Sequence, residues 1–223
     1  MNTERKAFQE ALRSQQSVLA PLERACLIWL ARHTPRWIHS DHLTVLGLVA
    51  MLLAGLTYAA ARWWAPALLV VDLWIAVNWL GDSLDGTLAR FRNKLRPRYG
   101  FYVDHIVDAL GSLFLVAGLA VSGYMSRWVA LGLLLGYFLL SINAYLATYT
   151  LGAFHLSFWK FSPTEMRILL AVGNAVAFFR PYALGGRYLF LDVAGSIALL
   201  SMGVVLVISV ARNTRTLYLA ERI

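Results

Sequence analysis

Long apolar runs separated by short polar segments make up most of the chain from residue 43 onwards. A helix needs about 20 apolar residues to cross the core of a bilayer, and five of the runs reach that length. The run after residue 160 does so only if it begins at Pro163 and continues to about Tyr182. The pattern predicts an all-α, polytopic membrane protein of about six transmembrane helices, over Leu43–Ala61, Pro66–Phe91, Phe101–Val121, Trp128–Leu151, Ile168–Phe179 and Leu191–Val210.

The first 40 residues follow a different pattern. Over residues 4–35 apolar side chains recur at helical spacing, from Phe8, Leu12 and Leu19 onwards, with basic residues between them. This favours an amphipathic helix lying at the membrane surface, and a helix packed on its own protein is the alternative. The sequence therefore divides into a juxtamembrane helix (1–40), a six-helix transmembrane catalytic domain (41–212) and a short cytoplasmic tail (213–223).

Composition and charge agree with a membrane protein. The chain is 59% hydrophobic and 14% charged, whereas a soluble domain is usually about 45–50% apolar and about 25% charged. The net charge of +8 fits basic loops beside anionic lipid better than a nucleic-acid partner. Sixteen of the 20 Lys and Arg residues fall on one side of the predicted spans, so both termini and the loop at 90–98 are expected in the cytoplasm.

Four aspartates mark the cytoplasmic ends of the second and third spans. Asp82 and Asp85 lie three residues apart and Asp104 and Asp108 lie four apart, so each pair occupies one helix face. A short loop joins the two spans, which predicts antiparallel neighbours whose acidic faces converge. Such carboxylates repel each other unless they are protonated or a cation neutralises them. Hard oxygen ligands favour Mg²⁺ or Mn²⁺, and a pair of ions suits phosphoryl transfer.

The residues around these aspartates fit phosphate chemistry. Gly86 and Ala89 leave a groove along one helix, Gly100 does the same on the facing helix, and Arg90 supplies a cation for phosphate. Any one intramembrane acid could instead serve an ion pathway or helix pairing. A chance agreement of all eight positions is a poor explanation.

The segment D-x-x-D-G-x-x-A-R from Asp82, followed by G-x-x-x-D-x-x-x-D from Gly100, resembles the signature of the CDP-alcohol phosphotransferase family. The resemblance implies a membrane enzyme, commonly a homodimer, that transfers a substituted phosphate from a CDP-linked donor to an alcohol and releases CMP. It further implies that Asp82, Asp85 and Asp104 bind metal and that Asp108 is both a metal ligand and the base. The residues expected to line the CDP site are Gly86, Ala89 and Arg90.

Two further segments resemble family elements. Residues 41–47 are similar to a P-N-x-L-T-x-x-G motif, which implies that Thr44 faces the nucleotide, although Ser40 and Asp41 replace the usual Pro and Asn. Asp41 could instead be a helix N-cap. Residues 162–167 are similar to a P-T-E-x-R element. It implies that Glu165 and Arg167 contact the acceptor or its phosphate, and a capping acid with an interfacial arginine is the alternative.

His105 follows Asp104 as in the D-H-G-x-D pattern of choline and ethanolamine phosphotransferases, but Ile106 replaces the Gly. A share in proton transfer and a structural role both stay open for it. Arg167 and the basic loops favour CDP-diacylglycerol with an anionic alcohol acceptor. A CDP-choline or CDP-ethanolamine donor with a lipid alcohol is the second arrangement. Outside the enzymes, a cation-coupled transporter or a lipid-binding scaffold are the rival hypotheses, and the expected location is a bacterial inner membrane.

Overall fold

The computed structural model describes residues 20–151 and 163–222. In these two stretches the chain is almost entirely helical. A two-stranded antiparallel hairpin, β1 (Tyr182–Ala183) and β2 (Tyr188–Leu189), precedes the last helix. The helices are α1 (Ala20–His33), α2 (Ser40–Ala60), α3 (Ala67–Phe91), α4 (Pro97–Val121), α5 (Arg127–Leu151), α6 (Pro163–Phe179) and α7 (Phe190–Ala220).

Five of these helices, α2, α3, α4, α5 and α7, are long and apolar enough to cross a membrane. The prediction of an all-α polytopic membrane protein is therefore confirmed. Helix α6 begins at Pro163 as predicted, where a proline costs no hydrogen bond. It ends at Phe179 and does not continue to Tyr182, which lies in β1. It has 17 residues, or about 25 Å at 1.5 Å per residue, and is not among the five. A sixth crossing by α6 stays a prediction.

Helix α1 is the part of the predicted amphipathic helix that the structure describes; Phe8, Leu12 and Leu19 lie outside the described residues. Its buried side chains Leu27 and Ala31 pack against Leu84 and Leu88 of α3. Its opposite face exposes Trp29. At the other terminus, α7 continues as helix through the predicted tail to Ala220.

Helix α2 is the centre of the bundle because it packs closely on both α3 and α4. Glycines permit the approach: a Cβ on Gly81 of α3 would lie 2.8 Å from the backbone nitrogen of Gly47 in α2, and a Cβ on Gly118 of α4 would overlap the carbonyl oxygen of Gly55. Close helix packing at small residues is typical of membranes.

The sequence predicted α3 and α4 as antiparallel neighbours with converging acidic faces, and Asp85 of α3 is within electrostatic reach of Asp104 of α4. The two helices make few direct contacts, and α2 supports both of them instead. A short loop limits how far apart two helix ends can be, but it does not decide which helix faces pack. The glycines of α2 decide it here, and they leave a gap between α3 and α4 into which side chains can project.

The main hydrophobic core lies in the half of the bundle formed by the C-terminal half of α2 and the N-terminal half of α3. Its fully buried members include Tyr58, Leu68 and Val71. A polar chain crosses this core: the Tyr58 hydroxyl donates to Asn174 Oδ1 at 2.6 Å, and Asn174 Nδ2 donates to Asp72 Oδ1 at 2.6 Å. It links α2, α3 and α6 inside the membrane-spanning region.

Candidate active site

Four helix ends meet at one end of the bundle, here called the aspartate end. They are the N-terminal turns of α2, α4 and α6 and the C-terminal turns of α3. Thr44 Oγ1 of α2 donates a hydrogen bond to Asp85 Oδ2 of α3 at 2.6 Å. The backbone N–H of Gly86 donates to Asp85 Oδ1 at 2.5 Å. Thr44 is thus brought to the second aspartate of the motif.

Asp82 faces α6. Its Oδ2 atom lies 2.6 Å from a guanidinium nitrogen of Arg167, and both side chains are partly exposed. Two positions that the sequence assigned to separate motifs, 85 residues apart, therefore form an ion pair. The sequence left two interpretations of Arg167, a contact with the acceptor or an interfacial arginine. The structure brings its cation into the aspartate site. Glu165 lies in the first turn of the same helix.

Asp104 and Asp108 approach from the other side of the gap. Asp85 is close enough to both Asp82 and Asp104 for electrostatic interaction. Asp108 interacts in the same way with Tyr137 and Tyr145 of α5. Asp82, Asp85 and Asp104 therefore lie near one another where α3 and α4 face each other, whereas Asp108 is exposed on α4 beside the tyrosines of α5.

Within residues 20–151 and 163–222, no group of three or more His, Cys, Asp or Glu side chains is arranged as a set of metal ligands. Asp85 is turned to Thr44 and Gly86, and Asp82 is turned to Arg167. As a donor set the four carboxylates still suit a hard divalent cation. Arg167 occupies only the Oδ2 atom of Asp82, so Oδ1 stays available for a shared ion while the ion pair is kept. The assignment of Asp82, Asp85, Asp104 and Asp108 as metal ligands stays a prediction.

The two motif glycines have free space beside them. A Cβ on Gly86 would meet only the Arg90 guanidinium, at 3.7 Å, and a Cβ on Gly100 would meet no protein atom within 4 Å. A glycine inside a helix costs about 1 kcal/mol relative to alanine, and packing does not require one at either position. The space is suited to a ligand. Ala89 is half-buried on the same helix, and the Arg90 side chain is exposed.

His105 lies against α5. Its Nδ1 atom is 2.5 Å from the Phe101 carbonyl oxygen, and its ring centroid lies 4.2 Å from that of Phe101 and 4.6 Å from that of Tyr145. These contacts agree with a structural role and leave a share in proton transfer open. No sequence pattern pointed to Tyr145.

Asp41 does not cap α2. The cap is His39, and Asp41 lies in the first turn, where it forms an ion pair with Arg96 of the loop before α4. The N-cap interpretation of Asp41 was therefore wrong. Its position one turn before Thr44 places this ion pair beside the site.

Glu23 of α1 is a residue that sequence reasoning missed. Its carboxylate accepts hydrogen bonds from Trp79 and Ser83 of α3 and from Thr164 of α6. The missed signal was its place at the start of the stripe that continues with Leu27 and Ala31, because an acid on the packed face of an amphipathic helix needs partners.

Comparison with known proteins agrees with the signature. Residues 37–211 match the family model described as CDP-alcohol phosphatidyltransferase. Cholinephosphotransferase 1 of Bos taurus is 28% identical over 167 residues, covering 70% of this chain and 40% of that protein. The Gallus gallus protein of the same name is 27% identical over 199 residues, covering 81% of this chain and 58% of that protein.

An archaetidylinositol phosphate synthase of Pyrococcus horikoshii is 27% identical over 113 residues, covering 51% of this chain and 53% of that protein. The chain thus spans about two fifths to three fifths of the length of these curated relatives.

Proposed function

Since the chain belongs to the CDP-alcohol phosphatidyltransferase family, we propose that it transfers a substituted phosphate from a CDP-linked donor to an alcohol and releases CMP. The observation that carries the proposal is the meeting of Thr44, Asp82, Asp85 and Arg167 at one end of the bundle, beside glycines with open space. The protein is integral to the membrane. A bacterial inner membrane, a cytoplasmic site and a homodimer belong to the proposal.

In the proposed reaction the acceptor hydroxyl oxygen attacks the phosphorus that carries the donor's substituent. The bond from that phosphorus to the bridging oxygen breaks, and CMP leaves with the electron pair. Asp108, on the exposed side of α4, takes the hydroxyl proton as general base. Mg²⁺ or Mn²⁺, held by Asp82, Asp85, Asp104 and Asp108, would neutralise the charge of the diphosphate.

The residues around the gap divide between the two substrates. Gly86 and Ala89 leave room for the CDP moiety on α3, with Arg90 as a cation for its phosphates and Thr44 holding Asp85 from α2. Gly100 provides the same room on α4. Arg167 of α6 reaches Asp82, and Glu165 lies two residues before it, which suits contact with the acceptor.

Two substrate arrangements have specific support. The Arg167 guanidinium beside Asp82 favours an anionic acceptor, such as an alcohol phosphate, with CDP-diacylglycerol as donor. The similarity to cholinephosphotransferases favours a CDP-linked small alcohol with a lipid alcohol, and His105 after Asp104 agrees with it. We propose the first arrangement as the main candidate. The transporter hypothesis has no support in the family assignment.

The test incubates purified protein with Mg²⁺ or Mn²⁺ and either CDP-diacylglycerol or CDP-choline, each with a panel of polar or lipid alcohols. We expect CMP release and a new lipid by mass spectrometry in one arm, loss of both with EDTA, and recovery on adding metal. Asp108→Ala should fold and form no product. Cation flux into proteoliposomes without any CDP-dependent product would contradict the proposal and favour a transporter.

A further inference from the structure

The carboxylate of Glu23 connects three helices at the aspartate end. Its Oε1 atom accepts a hydrogen bond from Trp79 Nε1 at 2.9 Å, from Thr164 Oγ1 at 3.0 Å and, at the longest distance, from Ser83 Oγ at 3.5 Å. One side chain of α1 therefore binds α3 twice and α6 once. All three donors are neutral, so the charged acceptor strengthens each bond.

These contacts lie next to the Asp82–Arg167 ion pair. Ser83 follows Asp82 directly on α3, and Trp79 precedes it by three residues, which places it on the same face. On α6, Thr164 precedes Arg167 by three residues, also on one face. The first turn of α6 is thus tied to the same short stretch of α3 by two polar links, one through Glu23 and one direct.

Helix α1 is a firm support for the first of these links. Leu27 and Ala31 continue the stripe that starts at Glu23, and they are buried against Leu84 and Leu88 of α3. The carboxylate is therefore fixed relative to α3 by apolar packing. A movement of the α6 first turn away from α3 would have to break the bond from Thr164.

We propose that Glu23 is a positioning residue for the acceptor side of the site. By binding Thr164 from a helix anchored on α3, it holds the first turn of α6 in place and keeps Arg167 beside Asp82 and in reach of the acceptor. The consequence for the reaction rests on the proposed function. The consequence for the position of α6 does not.

The position of α6 is tested without an activity assay. The sequence contains one cysteine, Cys26, which is exposed on α1, and Ile168 is exposed on α6. Spin labels at Cys26 and at Ile168→Cys report the distance between these helices by pulsed electron paramagnetic resonance. We expect one narrow distribution in the otherwise unchanged protein and a broader or shifted one with Glu23→Ala. Thr164→Val, which removes only the donor on α6, should have the same effect.

Arg24→Ala, at an exposed position of the same helix, is the matched control and should leave the distribution unchanged. Glu23→Gln keeps an acceptor oxygen but loses the charge, so its effect should be intermediate. An unchanged distribution in both Glu23→Ala and Thr164→Val would overturn the proposal. Because neither measurement involves substrate, this result is independent of whether the protein is a phosphotransferase.

The kinetic test separates positioning from general damage. We expect Glu23→Ala to raise the KM for the alcohol acceptor about tenfold and to leave the KM for the CDP donor nearly unchanged. Thr164→Val should do the same. The double variant should be no worse than either single variant, since both single variants remove the same hydrogen bond between Glu23 and Thr164. Equal losses for donor and acceptor, or no change for either, would contradict the role. A wild-type protein without activity would refute the proposed function alone.

Discussion

The two halves of the bundle use glycine for opposite purposes. In the half that contains the main core, the backbones of Gly55 and Gly118 are in contact, and any Cβ on Gly118 would overlap a carbonyl oxygen. At the aspartate end, Gly86 and Gly100 have open space where a Cβ would be. Both pairs lie in apolar helices, and in the sequence only the aspartate motif around Gly86 and Gly100 distinguishes them.

The difference distinguishes glycines that helix packing requires from glycines that it does not require. Glycine in a helix interior is unfavourable by itself, and close packing is one reason for its presence. Contact between α2 and α4 provides it at Gly55 and Gly118. At Gly86 and Gly100 no protein atom provides it, and carboxylates with a threonine and an arginine lie beside them. The comparison therefore separates a half in which glycines serve helix packing from one in which they leave open space beside polar side chains.

The largest effect is expected from removing a charge at the aspartate end. Asp85→Asn keeps one acceptor oxygen, enough for either Thr44 or the Gly86 N–H, and loses the second acceptor and the negative charge. We therefore expect CMP release to fall about 10³-fold with the fold intact. The matched control is Asp72→Asn on the same helix, whose oxygen can still accept from Asn174. It should leave activity within about threefold. Equal losses from both variants would show that the two halves are not functionally distinct.

Gly118→Ala should be the most destabilising of the glycine substitutions. Its Cβ would meet the backbone of Gly55, which cannot move without separating α2 from α4, so we expect a loss of about 1–3 kcal/mol in the free energy of unfolding. Denaturant titration in detergent measures it. Gly203→Ala in α7 has no neighbour within 4 Å and should be neutral or slightly stabilising. A stable Gly118→Ala protein would contradict the close crossing.

Gly86→Ala should affect the reaction and leave the fold unharmed. The added methyl group has room beside Arg90, and the gain in helix propensity is about 1 kcal/mol. If the space holds the CDP moiety, the KM for the donor should rise about tenfold. Gly203→Ala serves again as the control, with unchanged kinetics. Unchanged donor kinetics in Gly86→Ala would show that this space is not part of the donor site.

The sequence predicted the helices well because their signal is local. Run length and hydropathy are sufficient for α2 to α5 and α7, and Pro163 marked the start of α6. Helix neighbours could not be predicted in the same way. Loop length predicted that α3 and α4 are neighbours, but it did not show that both pack on small residues of α2 more than on each other. Nothing in the spacing of Gly47 and Gly55 identifies the partner helix.

In the candidate site, too, local features could be predicted from the sequence and contacts between helices could not. The motif residues of α3 and α4 follow from spacing along one helix, and Arg167 follows from a resemblance. The contacts that join Arg167 to Asp82 and Thr44 to Asp85 span 85 and 41 positions, and only the folded chain brings them together. Glu23 was missed for this reason, since its three donors belong to helices distant in sequence.

The smallest effect is expected from the polar chain inside the main core. Tyr58→Phe removes the hydroxyl that donates to Asn174 and keeps the ring packing, so the unfolding free energy should fall by about 1 kcal/mol, typical of a hydrogen bond between membrane helices. Tyr149→Phe, at a highly exposed position of α5, is the control. Activity per folded molecule should be the same for both variants. A loss of activity in Tyr58→Phe that exceeds its loss of stability would show that the core half transmits its geometry to the aspartate end through α6, because Asn174 and Arg167 lie on that one helix.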